Sequence, residues 1–344
     1  MSRYDLDQDG LARILDGQPP YRVRQVWRHL YQRGVGPALM TDLPVALRRR
    51  LAVESELGPA LESVAHSVSD GGQTYKWSWK LADGARIESV LMGFGRWSTV
   101  CVSTQAGCAM ACGFCATGQA GFTRNLSIGE IVEQVIVART FCAEQPELRP
   151  LTNVVFMGMG EPLANFDRVW GAVGRLWRDV GISARHLTIS TVGMVPGIRR
   201  LTRAGLPVNL AVSLHAANDQ LRDRLVPINR RYPLEVLHRA CADYVETTGR
   251  RLSFEWALIA DTNDSPDDAA QLAHLAMSLG AHVNLIPLNP TPGWGTLGTP
   301  PEGIRSFRRQ LTALGVNATV RRNRGNDIDA ACGQLAAVPT GSLH

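Results

Sequence analysis

The chain has 344 residues, a formal net charge of +5 and seven cysteines, a length that suits one large domain with an appendage. The start MSRYDLDQDG is polar, with no basic stretch leading into an apolar run, and no apolar segment approaches membrane-spanning length. An odd cysteine count argues against a secreted disulfide framework, so a soluble, cytoplasmic protein with reduced thiols and no membrane association is expected. The positive charge is nearly all arginine, which fits a polyanionic partner and equally fits a compositional habit.

In chain order, YRVRQVWRHLYQRGV places Val23, Val26, Trp27, Leu30 and Tyr31 at helical spacing, with Arg22, Arg24, Arg28 and Arg33 between them. LPVALRRRLAVE reads as a second short basic helix, and residues 1–72 are expected to form a small helical accessory domain. A solvated helix face accounts for these arginines as well as a phosphate-binding one does. Residues 73–97 read as a β-hairpin extension, with a turn at Asp83 and Gly84. Trp77 and Trp79 alternate in it, a pattern that stacks on bases or, more commonly, packs against neighbouring elements.

Over 98–344 apolar strands alternate with helices. Strands are expected at 98–103, 151–157, 186–190, 207–215, 252–259, 282–288 and 317–322, and Ser127 and Glu130 form a capping box ahead of a helix that carries Ile128, Ile131, Val132, Val135 and Ile136. Such alternation implies a parallel sheet with helical crossovers, either open or curled into a full or partial barrel. In barrels of that kind chemistry gathers at the C-terminal strand ends.

The segment CVSTQAGCAMACGFCATG stands at such an end. Cys108, Cys112 and Cys115 have the spacing C-x3-C-x2-C, which in a reducing compartment means zinc or an iron–sulfur cluster. Structural zinc takes two separated ligand pairs, and no second C-x2-C exists in the chain. Ferredoxin clusters take four thiolates, so three suggest a cluster with one iron open to another ligand. NVVFMGMGEP ends a strand with Gly158, Gly160 and Glu161, where glycines allow close backbone approach and a carboxylate can accept from an ammonium group. Ser190, the triplet Ser213, Leu214 and His215, and Asn289 offer polar groups at the ends of later strands.

The cysteine spacing, with an aromatic before the third cysteine, resembles the radical S-adenosylmethionine superfamily. Together with MGMGEPL, AVSLHAANDQLRDRLVPIN, NLIPLNP and RGNDIDAACGQLA, it resembles more narrowly the RlmN/Cfr family of radical S-adenosylmethionine RNA methyltransferases, over about residues 70–337 and with RlmN the nearer branch. The resemblance implies a partial (β/α)6 barrel behind an N-terminal accessory domain. It implies a 4Fe-4S cluster on Cys108, Cys112 and Cys115, and S-adenosylmethionine, two per turnover, held by Gly160, Glu161, Ser190, Ser213, Leu214, His215 and Asn289. Methylation of adenosine C2 in 23S rRNA, and of the adenosine 3′ of the anticodon in tRNA, is the implied activity. Cys332 would carry the methyl group and tether the base, Cys101 would resolve that adduct through a transient disulfide, and Glu88 would accept a proton. Cys142 and Cys241 match no such position. An electron donor such as flavodoxin, and a monomeric enzyme, are expected.

Competing readings are methylation at C8 of the same rRNA base, a radical enzyme acting on something other than RNA, and a non-catalytic RNA-binding protein with structural zinc. Arg22 to Arg33, Arg48 to Arg50 and Arg321 to Arg324 are expected to grip phosphates while the adenine is extruded.

Overall fold

The computed structural model describes residues 2–336; the last eight residues of the expected core lie outside the described residues. The chain opens with three short helices, α1 (Gln8–Ile14), α2 (Tyr21–Arg28) and α3 (Val45–Ala52). Asp7 caps α1 by accepting from the Gly10 N–H at 2.7 Å. Val26, Leu30 and Tyr31 turn inward, while Arg24, Arg28, Arg33, Arg49 and Arg50 stay exposed.

The helical part is shorter than expected. Residues 62–69 form strand β1 (Glu62–Ser69), which pairs with β2 (Thr74–Lys80), which pairs with β3 (Arg86–Gly93), all antiparallel. The extension is therefore a three-stranded sheet and not a hairpin. β1 is an edge strand with nearly every residue at least partly exposed, so it lacks the alternation that marks a strand in sequence. Tyr75, Trp77 and Trp79 share one buried face of β2.

β3 pairs with β4 (Ser98–Cys101), and from there the sheet is parallel. A small antiparallel pair, β5 (Gln105–Gly107) and β6 (Phe122–Asn125), brackets the short helix α4 (Ala116–Gln119). Then follow α5 (Ile128–Glu144), β7 (Leu151–Phe156), α6 (Phe166–Arg175), β8 (Leu187–Thr191), α7 (Val195–Thr202), β9 (Asn209–Ser213), α8 (Asp219–Leu225) and α9 (Leu234–Thr248). The described chain continues with β10 (Ser253–Leu258), α10 (Pro266–Ser278), β11 (His282–Pro287), α11 (Pro301–Ala313) and β12 (Ala318–Val320).

The ten strands run in the order β1-β2-β3-β4-β7-β8-β9-β10-β11-β12. Every one of the seven strands expected over 98–322 is present, in the parallel part from β4 to β12. Side chains alternate across it: Leu187 and Ile189 of β8 are buried on the helix side, while Thr188 and Ser190 face inward. The sheet is not closed, because β12 and β1 are its two edges. The segment after β12 crosses to the extension, where Gly325 N–H donates to Asp70 at 3.2 Å and Ser69 donates to Asp327.

The capping box at Ser127 and Glu130 is formed. The same helix end receives the N-terminus, because Asp5 accepts from Gly129 N–H at 2.7 Å and from Ser127 Oγ at 3.0 Å. Further along α5, Glu133 accepts from Ser2 Oγ and Ala60 N–H, both at 2.9 Å. No helix among the described residues is long and apolar enough to cross a membrane.

Candidate active site

The loop after β5 carries the three clustered cysteines. Cys108 N–H donates to the Gly121 carbonyl at 2.7 Å, closing the loop's base. Gly107 has φ +74°, and a Cβ there would meet the Gly121 oxygen at 1.9 Å, so only glycine fits. Cys115 stands at the N-terminus of α4, and Gln119 in that helix holds the Gly113 carbonyl at 2.6 Å and Thr291 Oγ1 at 3.0 Å.

Cys108, Cys112 and Cys115 line one cavity with Gly158, Gly160, Glu161, Ser190, Ser213, His215 and Asn289. The structure thus gathers every expected cofactor-binding residue except Leu214. That side chain is buried in the core, and its backbone is occupied, the N–H donating to Glu255 O and the carbonyl accepting from Arg222 Nε at 3.1 Å. The cause is strand alternation: Ser213 and His215 point inward, so the residue between them points out.

Burial pushes the Cys108 thiol up to about 12 and Cys112 higher still, and the neighbouring cysteines add to both shifts. Thiols so destabilised as anions need a cation to neutralise them. Among the described residues no three His, Cys, Asp or Glu side chains converge as ligands of one ion would. Three thiols on one loop, each able to bind a different iron, suit a cluster. The three cysteines form no disulfide, so the donor set fits the group.

Gly160 has φ +100°, and a Cβ there would lie 2.5 Å from Gln105 Cβ. This tight crossing lets Gln105 Oε1 accept from the Glu161 N–H at 2.8 Å. Glu161 accepts from the N–H groups of Leu163 at 3.0 Å and Val192 at 2.9 Å. Burial raises its pKa to about 7, against those hydrogen bonds. His215, at φ +59°, accepts from Ala257 N–H through Nδ1 at 3.0 Å. That bond makes Nε2 the protonated nitrogen, and burial holds the ring neutral, with its pKa lowered to about 3.

A second cleft, lined by Val90, Thr99, Cys101, Arg321, Cys332 and Gly333 among others, opens beside the first. The two share Cys115, Met157, Arg321, Cys332 and Gly333, so they are continuous. Burial first, then the nearby Cys332, pushes the Cys101 thiol up to about 12, and Arg321 opposes the rise. The Cys332 segment is tied to the cofactor side at several points. Asn289 Nδ2 donates to the Cys332 carbonyl at 3.1 Å, Ala116 N–H to Gly333 O at 2.8 Å, and Thr117 Oγ1 to Leu335 O at 2.5 Å.

Glu88 is buried on β3, two residues from Val90, the partner of Cys101. Its carboxylate accepts from Ser78 Oγ at 3.0 Å and Ala336 N–H at 3.1 Å, with Lys76 Nζ at 3.5 Å. It does not line the cysteine cleft itself. Trp77 and Trp79 are buried, stacked 5.9 Å apart with Trp77 edge-on to Phe141 of α5, so they are not available to bases. Cys142 and Cys241 are buried within α5 and α9.

Three residues with no expected cofactor role also shape the site. Arg222 is wholly buried and holds the carbonyls of Val192, Ser213 and Leu214 at 2.6, 3.3 and 3.1 Å. Glu255 lines the cofactor cavity with Oε1 bonded to Ser253 and Asn284, both at 2.9 Å, and Oε2 unpartnered. Arg321, expected among the phosphate-binding arginines, instead turns inward and reaches both clefts and the barrel interior. Alternation with Thr319 along β12 is the signal that marks it as inward-facing.

The radical SAM superfamily model matches residues 102–273. A probable dual-specificity RNA methyltransferase RlmN of Parafrankia sp. (strain EAN1pec) is 53% identical over 338 residues, covering 94% of this chain and 88% of the relative. A relative of the same name from Roseiflexus sp. (strain RS-1) is 46% identical over 381 residues, covering 97% and 95%. The crystal structure of a radical SAM methyltransferase from Sphaerobacter thermophilus superposes with a TM-score of 0.93 at 48% identity, covering 98% of this chain and 100% of that one. A barrel with three cysteines at one strand end, a cleft lined by Cys101 and Cys332, and relatives matching nearly end to end lead to one conclusion: the chain belongs to the RlmN family of radical S-adenosylmethionine RNA methyltransferases.

Proposed function

We propose that this enzyme methylates C2 of an adenosine in 23S rRNA and of the adenosine 3′ of the anticodon in tRNA, using two S-adenosylmethionine molecules per turnover and an external electron donor of the flavodoxin kind. The observation that carries the reading is the meeting of Cys101 and Cys332 in a cleft continuous with the cavity of Cys108, Cys112 and Cys115. The relatives' name, a dual-specificity RNA methyltransferase, supports two RNA substrates.

C2 of adenine lies between two ring nitrogens and is electron-poor, so it does not attack a methyl sulfonium. When bound on Cys108, Cys112 and Cys115, the cluster supplies the electron that cleaves S-adenosylmethionine into methionine and a 5′-deoxyadenosyl radical. Gly160, Glu161, Ser190, Ser213, His215 and Asn289 hold the cofactor's polar ends. Cys332 takes the methyl group of a first S-adenosylmethionine on its sulfur, with S-adenosylhomocysteine leaving, and presents that carbon to the base.

The S-methyl group of Cys332 gives a hydrogen atom to the 5′-deoxyadenosyl radical, the carbon radical so formed adds to C2, and the electron supplied at cleavage leaves the adduct again, so that Cys332 tethers the RNA through a methylene. Glu88 accepts the proton lost from C2. Cys101 then attacks the Cys332 sulfur; the sulfur–carbon bond breaks, the carbon takes a proton and stays on the base as a methyl group, and a Cys101–Cys332 disulfide forms that an external reductant must open. Burial keeps Cys101 protonated at neutral pH, so its attack depends on the cation beside it, Arg321.

The test is anaerobic reconstitution with iron and sulfide, then S-adenosylmethionine, a reductant and unmodified 23S rRNA fragment or tRNA, with mass spectrometry of the nucleosides. We expect 2-methyladenosine from wild type and none from Cys332→Ala. Detection of 8-methyladenosine instead would overturn the assignment to C2 while leaving the cysteine chemistry in place.

A further inference from the structure

Asn289, in the loop after β11, is 3% exposed and lines the cofactor cavity. Its Nδ2 donates to the Cys332 carbonyl at 3.1 Å, and its Oδ1 accepts from Asn323 Nδ2 at 2.6 Å. Asn323 lies three residues after β12, inside the arginine run 321–324, and lines the neighbouring cleft of Cys101 and Cys332. Its Nδ2 also reaches the Pro287 carbonyl, at 3.3 Å. The two amides meet because their loops leave adjacent strands: β11 and β12 pair in parallel, and Arg321 N–H extends the ladder to Leu285 O at 2.8 Å.

Two carbonyls, which can only accept, close this chain of amides at both ends. Turning Asn289 alone would set its Nδ2 against Asn323 Nδ2, donor on donor. Turning both amides would set Asn289 Oδ1 against the Cys332 carbonyl and Asn323 Oδ1 against the Pro287 carbonyl. The network therefore admits one orientation of each amide. In it, one N–H of Asn289 goes to Cys332, and the other has no partner among the described residues, in a side chain that lines the cofactor cavity. A buried N–H of this kind calls for an acceptor.

We propose that Asn323 is a positioning residue, which holds the Asn289 amide as a donor toward an acceptor atom of S-adenosylmethionine. The proposal rests on the reading of Asn289 as a cofactor contact given above. The Cys332 carbonyl orients Asn289 only while its segment is seated, and Cys332 meets first S-adenosylmethionine and then the base. Asn323 and Pro287 lie outside that segment, so their hold on the amide lasts through both stages. A donor kept in place in this way needs no reorientation when the cofactor or the segment returns.

The test uses full-length, cluster-loaded protein, with the Kd for S-adenosylmethionine read by equilibrium dialysis and hydrogen exchange followed over residues 329–336. Asn323→Asp keeps the shape but puts an acceptor where the donor was, so Asn289 must turn its Nδ2 to the new carboxylate and its oxygen to Cys332. This variant should bind S-adenosylmethionine about tenfold more weakly and raise exchange over 329–336 several-fold. Protection of the β11 amides should be unchanged, which shows that the variant is folded. Asn323→Ala, which removes the donor and adds no repulsion, should move both quantities in the same direction by less. In an Asn289→Ala background neither substitution should shift either quantity by more than about twofold, because the effect passes through Asn289. A larger effect in that background would overturn the positioning role and make Asn323 a general support of the loop. Equal Kd and equal exchange for wild type and Asn323→Asp would also overturn it, leaving the functional reading intact. Failure of wild type to bind S-adenosylmethionine would overturn the functional reading itself, and the donor role with it.

Discussion

Individual residues here are set by burial as much as by identity. His215 shows it most simply: a ring that titrates near 6.5 in an unfolded chain is held at about 3 in the fold by desolvation, with the Arg222 charge adding to the effect. The unfolded chain therefore takes up a proton first as pH falls. Stability from this group is complete above about pH 6.5 and is lost between there and pH 3. Urea unfolding of wild type and His215→Gln, which keeps an acceptor for Ala257 N–H, should show wild type losing up to about 1.4 kcal/mol per pH unit more than the variant between pH 6 and 4. Parallel pH dependences would mean that the ring is charged in the folded protein. Gly160 and Gly107 are set by burial in another way, because neighbouring chain occupies the space a side chain would need.

At the scale of elements, α5 links the accessory helices to the barrel. Ser127 accepts from Glu130 N–H at 3.1 Å, Glu130 accepts from Ser127 N–H at 2.8 Å, and Glu130 in turn receives both Nη atoms of Arg124 at 2.8 Å. Ser127→Ala removes the cap and also a donor to Asp5, so chemical denaturation should show a loss of about 1–2 kcal/mol. No change in midpoint would show that Asp5 and the backbone cap this helix without the serine. The capping box was legible from four residues, because its chemistry is local. β1 was not: an edge strand wet on both faces has no period to read.

For the whole molecule, the decisive feature is how the open barrel is crossed. The segment after β12 reaches β1 through Asp70 and Ser69, passes Lys76, whose Nζ donates to Asp329 O at 3.3 Å, and ends on Glu88, with Cys332 anchored to Asn289 on the way. The cysteine loop, the extension and the Cys332 segment are thereby one connected unit. Asn289→Ala should free the Cys332 carbonyl and raise hydrogen exchange across residues 329–336 several-fold, leaving β11 protected. Unchanged exchange would show that Thr117 and Ala116 alone seat the segment.

The amino-acid sequence by itself determined the parallel strands from β4 to β12, the α5 cap and the C-x3-C-x2-C loop, because strand hydrophobicity, capping and cysteine spacing are written in neighbouring residues. It also marked Gly160 and Glu161 at a strand end. The tertiary structure alone decided which distant groups share a space. It brought Cys101 to Cys332, turned Arg321 inward, sent Leu214 to the core, and buried Trp77 and Trp79. The physical reason is that burial and the facing of a side chain depend on what packs against each strand, and those partners lie far away in the chain.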